Sequence, residues 1–228
     1  MEATCKVTTL ASDVRQELAA LGLTSETVIE ALLAGETERA LCTPNDPPCF
    51  HGIVAWARSL RRFREVLLSK NWTKDDTGNF STVVNPDKTL AISVATGDNE
   101  TGIYDPARPY ASPRLKYPKG NMTRQAVDRN WMYLYLFPDM EAEAKTKAKE
   151  IEAAEKRITW MLVRRRENDK LFAELSLPAE FNSGHVERWR HRILIGPLDL
   201  DPLVTTGDGE SGDDAGDIAI DVQVRRRS

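Results

Sequence analysis

Apolar and polar side chains alternate along residues 88–95, with the two-residue period of a β-strand. Leu90, Ile92 and Val94 fall on one face of this strand. The preceding Asn-Pro-Asp-Lys sequence at 85–88 is typical of a turn between two strands. This stretch therefore predicts a hairpin whose second strand ends near residue 95.

A second hairpin is indicated further along the chain. Residues 158–163 and 171–177 alternate in the same way and are separated by the polar sequence Glu-Asn-Asp-Lys at 167–170. Residues 186–195 predict another strand or a short helix, which Gly196 and the following proline would end. Local hairpins favour antiparallel pairing, so we expect a mainly antiparallel sheet of two hairpins.

Helical periodicity dominates the first third of the chain. Two short helices are predicted before residue 40, and Gly22 and Gly35 are expected to end them. The clearest amphipathic helix spans 52–69, where apolar residues recur every three or four positions. Together with the hairpins, this pattern predicts an α+β fold in which the sheet packs against this helix.

The expected organisation has three parts. A helical pair at 1–40 packs on the main α+β domain at 41–204, and an acidic, glycine-rich linker begins at 205. The alternating residues 218–224 predict a terminal strand. This strand would pair either within the chain or with a partner.

The region between the two hairpins is harder to interpret. Thr123 is a candidate N-cap for a helix that runs into the aromatic patch 131–137, where helix and strand cannot be separated by pattern. The patch would be either core or an interface. Residues 139–157, rich in Ala, Glu and Lys, predict a further helix.

Composition restricts the class of protein. The chain has 228 residues, of which 41% are hydrophobic and 29% charged, and both values are ordinary for a soluble protein. It lacks an apolar run long enough to span a bilayer and a signal-peptide pattern, and its three cysteines do not suggest a disulfide framework. We therefore expect a cytoplasmic protein without a membrane partner.

The charges are unevenly distributed, although the net charge is only −4. The stretch at 104–124, most of which is a long loop predicted at 104–120, is basic, whereas every charged residue in 208–217 is acidic. Tyrosines lie between the basic residues of the loop. Basic residues interleaved with aromatic ones suit the phosphates and bases of nucleic acid.

The loop at 96–102 loses every large apolar side chain as the first strand ends, and it leads into the basic stretch. A rigid strand followed by a glycine-rich loop is a natural place for a ligand, although the same residues also form ordinary turns. The predicted phosphate or nucleic-acid surface consists of Thr96, Gly97, Thr101, Arg108, Tyr110, Arg114, Lys116, Tyr117, Lys119 and Arg124.

Two further sites have candidate residues. Asp98 and Glu100 could hold Mg²⁺ for phosphoryl chemistry, but carboxylates two positions apart are not specific to catalysis. Cys42, Cys49 and His51, with Cys5 far upstream, could hold Zn²⁺, but their spacing is wider than that of a zinc finger. Ordinary reduced thiols are the alternative.

Three functional hypotheses result. The leading one is a non-enzymatic, bacterial-type accessory protein that binds a polyanion such as nucleic acid, or a protein partner, through the surface at 96–124. The second is a metal-dependent nuclease or phosphohydrolase that uses Asp98 and Glu100. The third is a structural subunit of a larger assembly or homo-oligomer. The motifs of the common nucleotide triphosphatases, dinucleotide oxidoreductases, zinc proteases and serine hydrolases are missing from the sequence.

Overall fold

The structure is a computed structural model, and it describes residues 5–108, 111–136 and 157–200. Within these residues the chain forms four α-helices and a seven-stranded sheet. The helices are α1 (Ala11–Ala20), α2 (Ser25–Arg39), α3 (Phe50–Leu68) and α4 (Asn121–Leu136). The strands are β1 (Lys6–Thr8), β2 (Thr73–Asp75), β3 (Thr82–Val84), β4 (Leu90–Thr96), β5 (Ile158–Glu167), β6 (Lys170–Asn182) and β7 (His185–Asp199).

The sheet has the strand order β1-β7-β6-β5-β4-β3-β2. Its neighbours pair antiparallel except for β4 with β5 and β1 with β7, which are parallel. The expected α+β fold with a mainly antiparallel sheet is therefore confirmed, but a sheet of only two hairpins is wrong. Parallel pairs join segments that are distant in sequence, so local periodicity does not reveal them.

Helices α1, α2 and α3 cover one face of the sheet. The predicted apolar stripe of β4, with Ile92 at its centre, packs in one cluster with Leu162 and Leu175 of the next two strands. Leu32 of α2 and Phe63 of α3 are fully buried in the same cluster. The N-terminal helices thus contribute to the core that covers the sheet.

The opposite face of the sheet is also buried. Met161 and Val163 of β5 pack there with Leu115, Val127 and Trp189. The coverage comes from α4 and from the extended segment around Leu115. Because both faces are covered, polar residues at alternate positions of the central strands lie in the interior rather than in water.

Gly35 and Gly196 were expected to end a helix and a strand, respectively, but both elements continue past them. Helix α2 continues past Gly35 because this glycine faces α3, where a Cβ would overlap the side chain of Ser59 and the carbonyl of Ala55. Strand β7 likewise continues past Gly196 to Asp199. In α2 the missing side chain allows close helix packing, and the helix keeps a final turn that carries charged residues.

Helix α4 resolves one ambiguity of the sequence. The segment is helical from Asn121 to Leu136, and the side chain of Trp131 is half exposed. The side chains of the other patch residues, 132–137, lie outside those that the structure describes. Whether they belong to the core or to an interface stays a prediction. The helix predicted at 139–157, except for its last residue, and the strand predicted at 218–224 lie outside the described residues.

No single helix among the described residues is long and apolar enough to cross a membrane. The pair α1 and α2 meets that criterion, by length and composition only, when its two helices, bent by 92°, are taken together.

Asn130 of α4 ties the helix to two strands. Its Nδ2 donates to the carbonyl oxygens of Thr159 (2.8 Å) and Pro178 (3.4 Å), and its Oδ1 accepts from the Thr159 N–H at 2.8 Å. Because Pro178 has no N–H, it cannot donate to β5 at this point. The buried amide of Asn130 supplies the missing donor.

We expect Asn130→Ala to lower the free energy of unfolding by about 1–3 kcal/mol, because it leaves buried backbone groups unpaired. Urea denaturation followed by circular dichroism would measure the change. Gln125→Ala on the exposed face of the same helix is the matched control and should change stability by less than about 0.5 kcal/mol. Equal losses for the two variants would contradict the role of Asn130.

Candidate functional site

A cleft opens where the carboxyl ends of the parallel strands β4 and β5 meet the last turn of α2 and the first turn of α3. We call it the basic cleft, because five of its ten lining residues are cationic. It is lined by Arg39, Cys49, Gly52, Ala55, Thr96, Lys116, Tyr117, Arg164, Arg165 and Arg166. No carboxylate is among the described residues that line it.

The parallel pairing of β4 and β5 positions the cleft. Thr96 at the end of β4 is in register with Arg164, so the arginines of β5 begin where β4 ends. The loop that carries Lys116 and Tyr117 returns to the same place. The Lys116 N–H donates to the Thr96 carbonyl at 3.0 Å, beside a bridge between Gly97 and Leu115.

Glu36 organises the arginines on the helical side. Its carboxylate is fully buried and accepts hydrogen bonds from Arg164 Nη2 and, at 3.1 Å, from Arg166 Nη1. Arg39 Nη1 lies 3.9 Å from the same carboxylate. These contacts fix the guanidinium groups in place before any ligand arrives, which reduces the entropy lost on binding.

Arg165 leaves β5 on the other face of the sheet and is only 7% exposed. Its guanidinium stacks 4.2 Å from the ring centroid of Phe172, and its Nη1 donates to Glu167 at 2.9 Å. Its Nε and Nη2 are buried without a hydrogen-bond partner among the described residues. Buried donors of this kind are costly unless an acceptor satisfies them.

The first turn of α3 adds further donors. It contains no acidic residue, and Cys49 at the N-cap makes no side-chain hydrogen bond to it. The N-terminus of a helix carries a partial positive charge and exposes N–H groups that bind anions. Cys49 and Gly52 place this turn in the cleft wall.

The glycine-rich loop at 96–102 is fastened to the interior by a buried ion pair. Arg192 donates to Glu174 at 2.6 Å, and both side chains are at most 2% exposed. The Gly102 N–H donates to the same carboxylate at 2.9 Å, and Arg192 Nη2 donates to the carbonyls of Glu100 (3.3 Å) and Ile103 (2.9 Å). The loop is therefore part of the rigid scaffold.

Asp98 and Glu100 both have structural contacts within this loop. Asp98 accepts from the N–H groups of Glu100 (3.1 Å) and Arg114 (3.0 Å), and Glu100 forms an ion pair with Arg108 at 3.0 Å. Burial raises the pKa of the Asp98 carboxyl, while the two N–H donors oppose that change. The nuclease hypothesis stays a prediction, and these contacts give it no support.

The remaining residues of the predicted surface are dispersed. Arg108, Arg114 and Arg124 lie within 4 Å of the carboxylates of Glu100, Glu187 and Asp128, respectively. Thr101 is fully buried, and the Lys119 N–H donates to the Gly184 carbonyl. Tyr110 lies outside the described residues. Of the predicted set, the structure brings Thr96, Lys116 and Tyr117 together in the basic cleft.

The zinc candidates do not form a metal site. Among the described residues, no group of three or more His, Cys, Asp or Glu side chains is placed to hold a metal ion. Cys42 is buried, and Cys49 is partly exposed at the start of α3. Burial raises the pKa of the Cys42 thiol, which favours the protonated form over the thiolate that zinc requires.

Sequence analysis missed the arginines of the cleft. Arg164, Arg165 and Arg166 follow the predicted strand at 158–163 directly, and three consecutive arginines at a strand end were an available signal. Glu36 and Arg39 were missed because Gly35 was expected to end their helix. No protein-family model matches the chain, and neither a curated protein nor a solved structure matches it.

Proposed function

We propose that this protein binds a phosphate-bearing polyanion, nucleic acid by class, in the basic cleft and catalyses no reaction on it. The observation that carries the proposal is the lining of the basic cleft, where five of ten residues are cationic and no carboxylate is present among the described residues. Phosphate oxygens are strong acceptors that match the planar fork of a guanidinium.

The rest of the cleft supports the same ligand chemistry. Glu36 holds Arg164 and Arg166 in place. The helix dipole gives the N-terminus of α3 a partial positive charge, which attracts anions. A protein partner with an acidic segment would meet the same cations. The aromatic wall favours nucleic acid, because the Lys116 Nζ lies 5.5 Å from the centroid of the half-buried Tyr117 ring. Such a ring can stack on an unpaired base while the neighbouring cation binds phosphate.

The double variant Arg39→Gln/Lys116→Gln tests the proposal. It removes two cleft cations and keeps the contacts of Glu36 with Arg164 and Arg166. We expect about 10-fold weaker binding of a labelled single-stranded oligonucleotide at low salt. We also expect the slope of log K against log salt to become shallower by about 1.4, or about 0.7 per lost phosphate contact. Fluorescence anisotropy at several salt concentrations would measure both.

The matched control is Arg61→Gln/Lys74→Gln, which removes the same charge from exposed positions outside the cleft. It should bind within about 2-fold of the wild type, since screening weakens charges farther away than about 10 Å. Equal losses for the two variants, or no binding by the wild type, would contradict the proposal. Shortening of the oligonucleotide with Mg²⁺ would favour the nuclease hypothesis instead.

A further inference from the structure

We propose that the acidic segment at 208–217 of this chain binds the basic cleft and competes there with external polyanions. The inference rests on the proposed function and adds its regulation. Three observations carry it: the composition of the segment, the point at which the described chain ends, and the charge of the cleft.

The segment is the most acidic part of the chain. Its ten residues include Asp208, Glu210, Asp213, Asp214 and Asp217, and contain neither Lys nor Arg. Glycines separate the acids and allow the backbone to approach a surface closely. Such a segment presents carboxylates in series, as a nucleic acid presents phosphates, although with weaker charge.

The described chain ends beside the cleft. The Leu200 N–H donates to the carbonyl of Asp169 at 2.8 Å, in the turn between β5 and β6. Arg166, a cleft residue, donates through Nε to the carbonyl of Asn168 in the same turn at 3.0 Å. Seven residues lie between Leu200 and Asp208, and the eight Cα–Cα steps that join these two can span up to about 28 Å. The acidic segment can therefore reach the cleft without disturbing the fold.

Attachment to the same chain makes this weak attraction effective. Two binding elements joined by a short linker have an effective concentration on the order of 1 mM. With a local dissociation constant of about 0.1 mM, the segment would occupy the cleft most of the time and weaken external binding about 10-fold. Added salt should reduce this competition, because it screens the charges on both partners.

Zero-length cross-linking tests the contact without any external polyanion. A carbodiimide joins an amine to a carboxylate that touches it, and Lys116 supplies the amine in the cleft. We expect peptide mapping of the full chain to find Lys116 joined to 208–217 at about 20 mM salt and not at about 500 mM. Lys88, at the opposite end of β4 from Thr96, is the control amine. Absence of the Lys116 product, or an equal yield at Lys88, would overturn the proposal.

Charge substitution tests the competition. Asp208→Asn/Asp213→Asn/Asp214→Asn should bind the oligonucleotide about 10-fold more tightly at low salt, and this gain should shrink in the Arg39→Gln/Lys116→Gln background. The matched control Glu26→Gln/Glu65→Gln/Asp87→Asn changes net charge equally, at the ends of α2, α3 and β4 that are farthest from the cleft. It should change affinity by less than about 2-fold.

The outcomes separate the two proposals. Equal tightening by both triple variants, or none by the tail variant, would overturn the competition and leave polyanion binding intact. If the wild type binds no oligonucleotide, the proposed function fails, and the cross-link at Lys116 alone decides whether the acidic segment occupies the cleft.

Discussion

Replacing Arg192 with leucine is expected to lower the free energy of unfolding by about 3–5 kcal/mol, because Glu174 would remain as an unpaired charge in the interior. Glu174 is completely buried, and the donors that would remain to it, the Ser176 hydroxyl (2.7 Å) and the Gly102 N–H (2.9 Å), carry no charge. The carbonyls of Glu100 and Ile103 would lose the same donor. Urea denaturation would measure the loss.

Two further variants separate charge from packing. The double variant Glu174→Leu/Arg192→Leu leaves no unpaired charge in the interior, so it should recover much of the stability that Arg192→Leu loses. Recovery should be incomplete, since the Gly102 N–H also loses its acceptor. Arg188→Leu, on the exposed side of the same strand, should cost less than about 1 kcal/mol. A loss as large for Arg188 as for Arg192 would contradict this account.

This ion pair also shows where pattern analysis fails. The alternation of β6 correctly assigned Leu171, Ala173, Leu175 and Leu177 to one buried face. The intervening Glu174 is polar and would ordinarily be assigned to water. It is buried because the loop at 96–102 covers it, and only tertiary contacts between distant segments reveal this.

The basic cleft was predictable only in part. Lys116 and Tyr117 were recognised from the composition of their loop, and Thr96 from the end of its strand. The arginines of β5 join them through the parallel pairing of Thr96 with Arg164, which lie 68 positions apart in the sequence. The pattern of residues along the chain does not reveal such a pairing, because the crossover connection between β4 and β5 could place β5 on either side of β4.

Glu36→Gln is expected to change stability and polyanion affinity in opposite directions. The buried carboxylate holds Arg164 and Arg166, so its neutralisation should lower the free energy of unfolding by about 3 kcal/mol. The same change raises the net positive charge of the cleft. Thermal denaturation and anisotropy on the same preparation would measure both effects.

Two terms decide the sign of the affinity change. One extra unit charge about 8 Å from a phosphate contributes about 2 kcal/mol at an effective dielectric constant of 20. Ordering the arginines without Glu36 costs about 0.5–1.5 kcal/mol for each side chain that becomes mobile. The amide of the variant still accepts one hydrogen bond, so one side chain becomes mobile. The balance favours binding, and we expect roughly 3- to 10-fold tighter association.

A second carboxylate provides the control. Glu17 on α1 pairs with Lys6 and, at 2.8 Å, with His191, and it does not line the basic cleft. Glu17→Gln should therefore lower stability without tightening polyanion binding. Saturating oligonucleotide at about 100 times the dissociation constant should restore about 2.7 kcal/mol to Glu36→Gln. Weaker binding by Glu36→Gln than by the wild type would mean that the arginines serve the fold rather than a ligand.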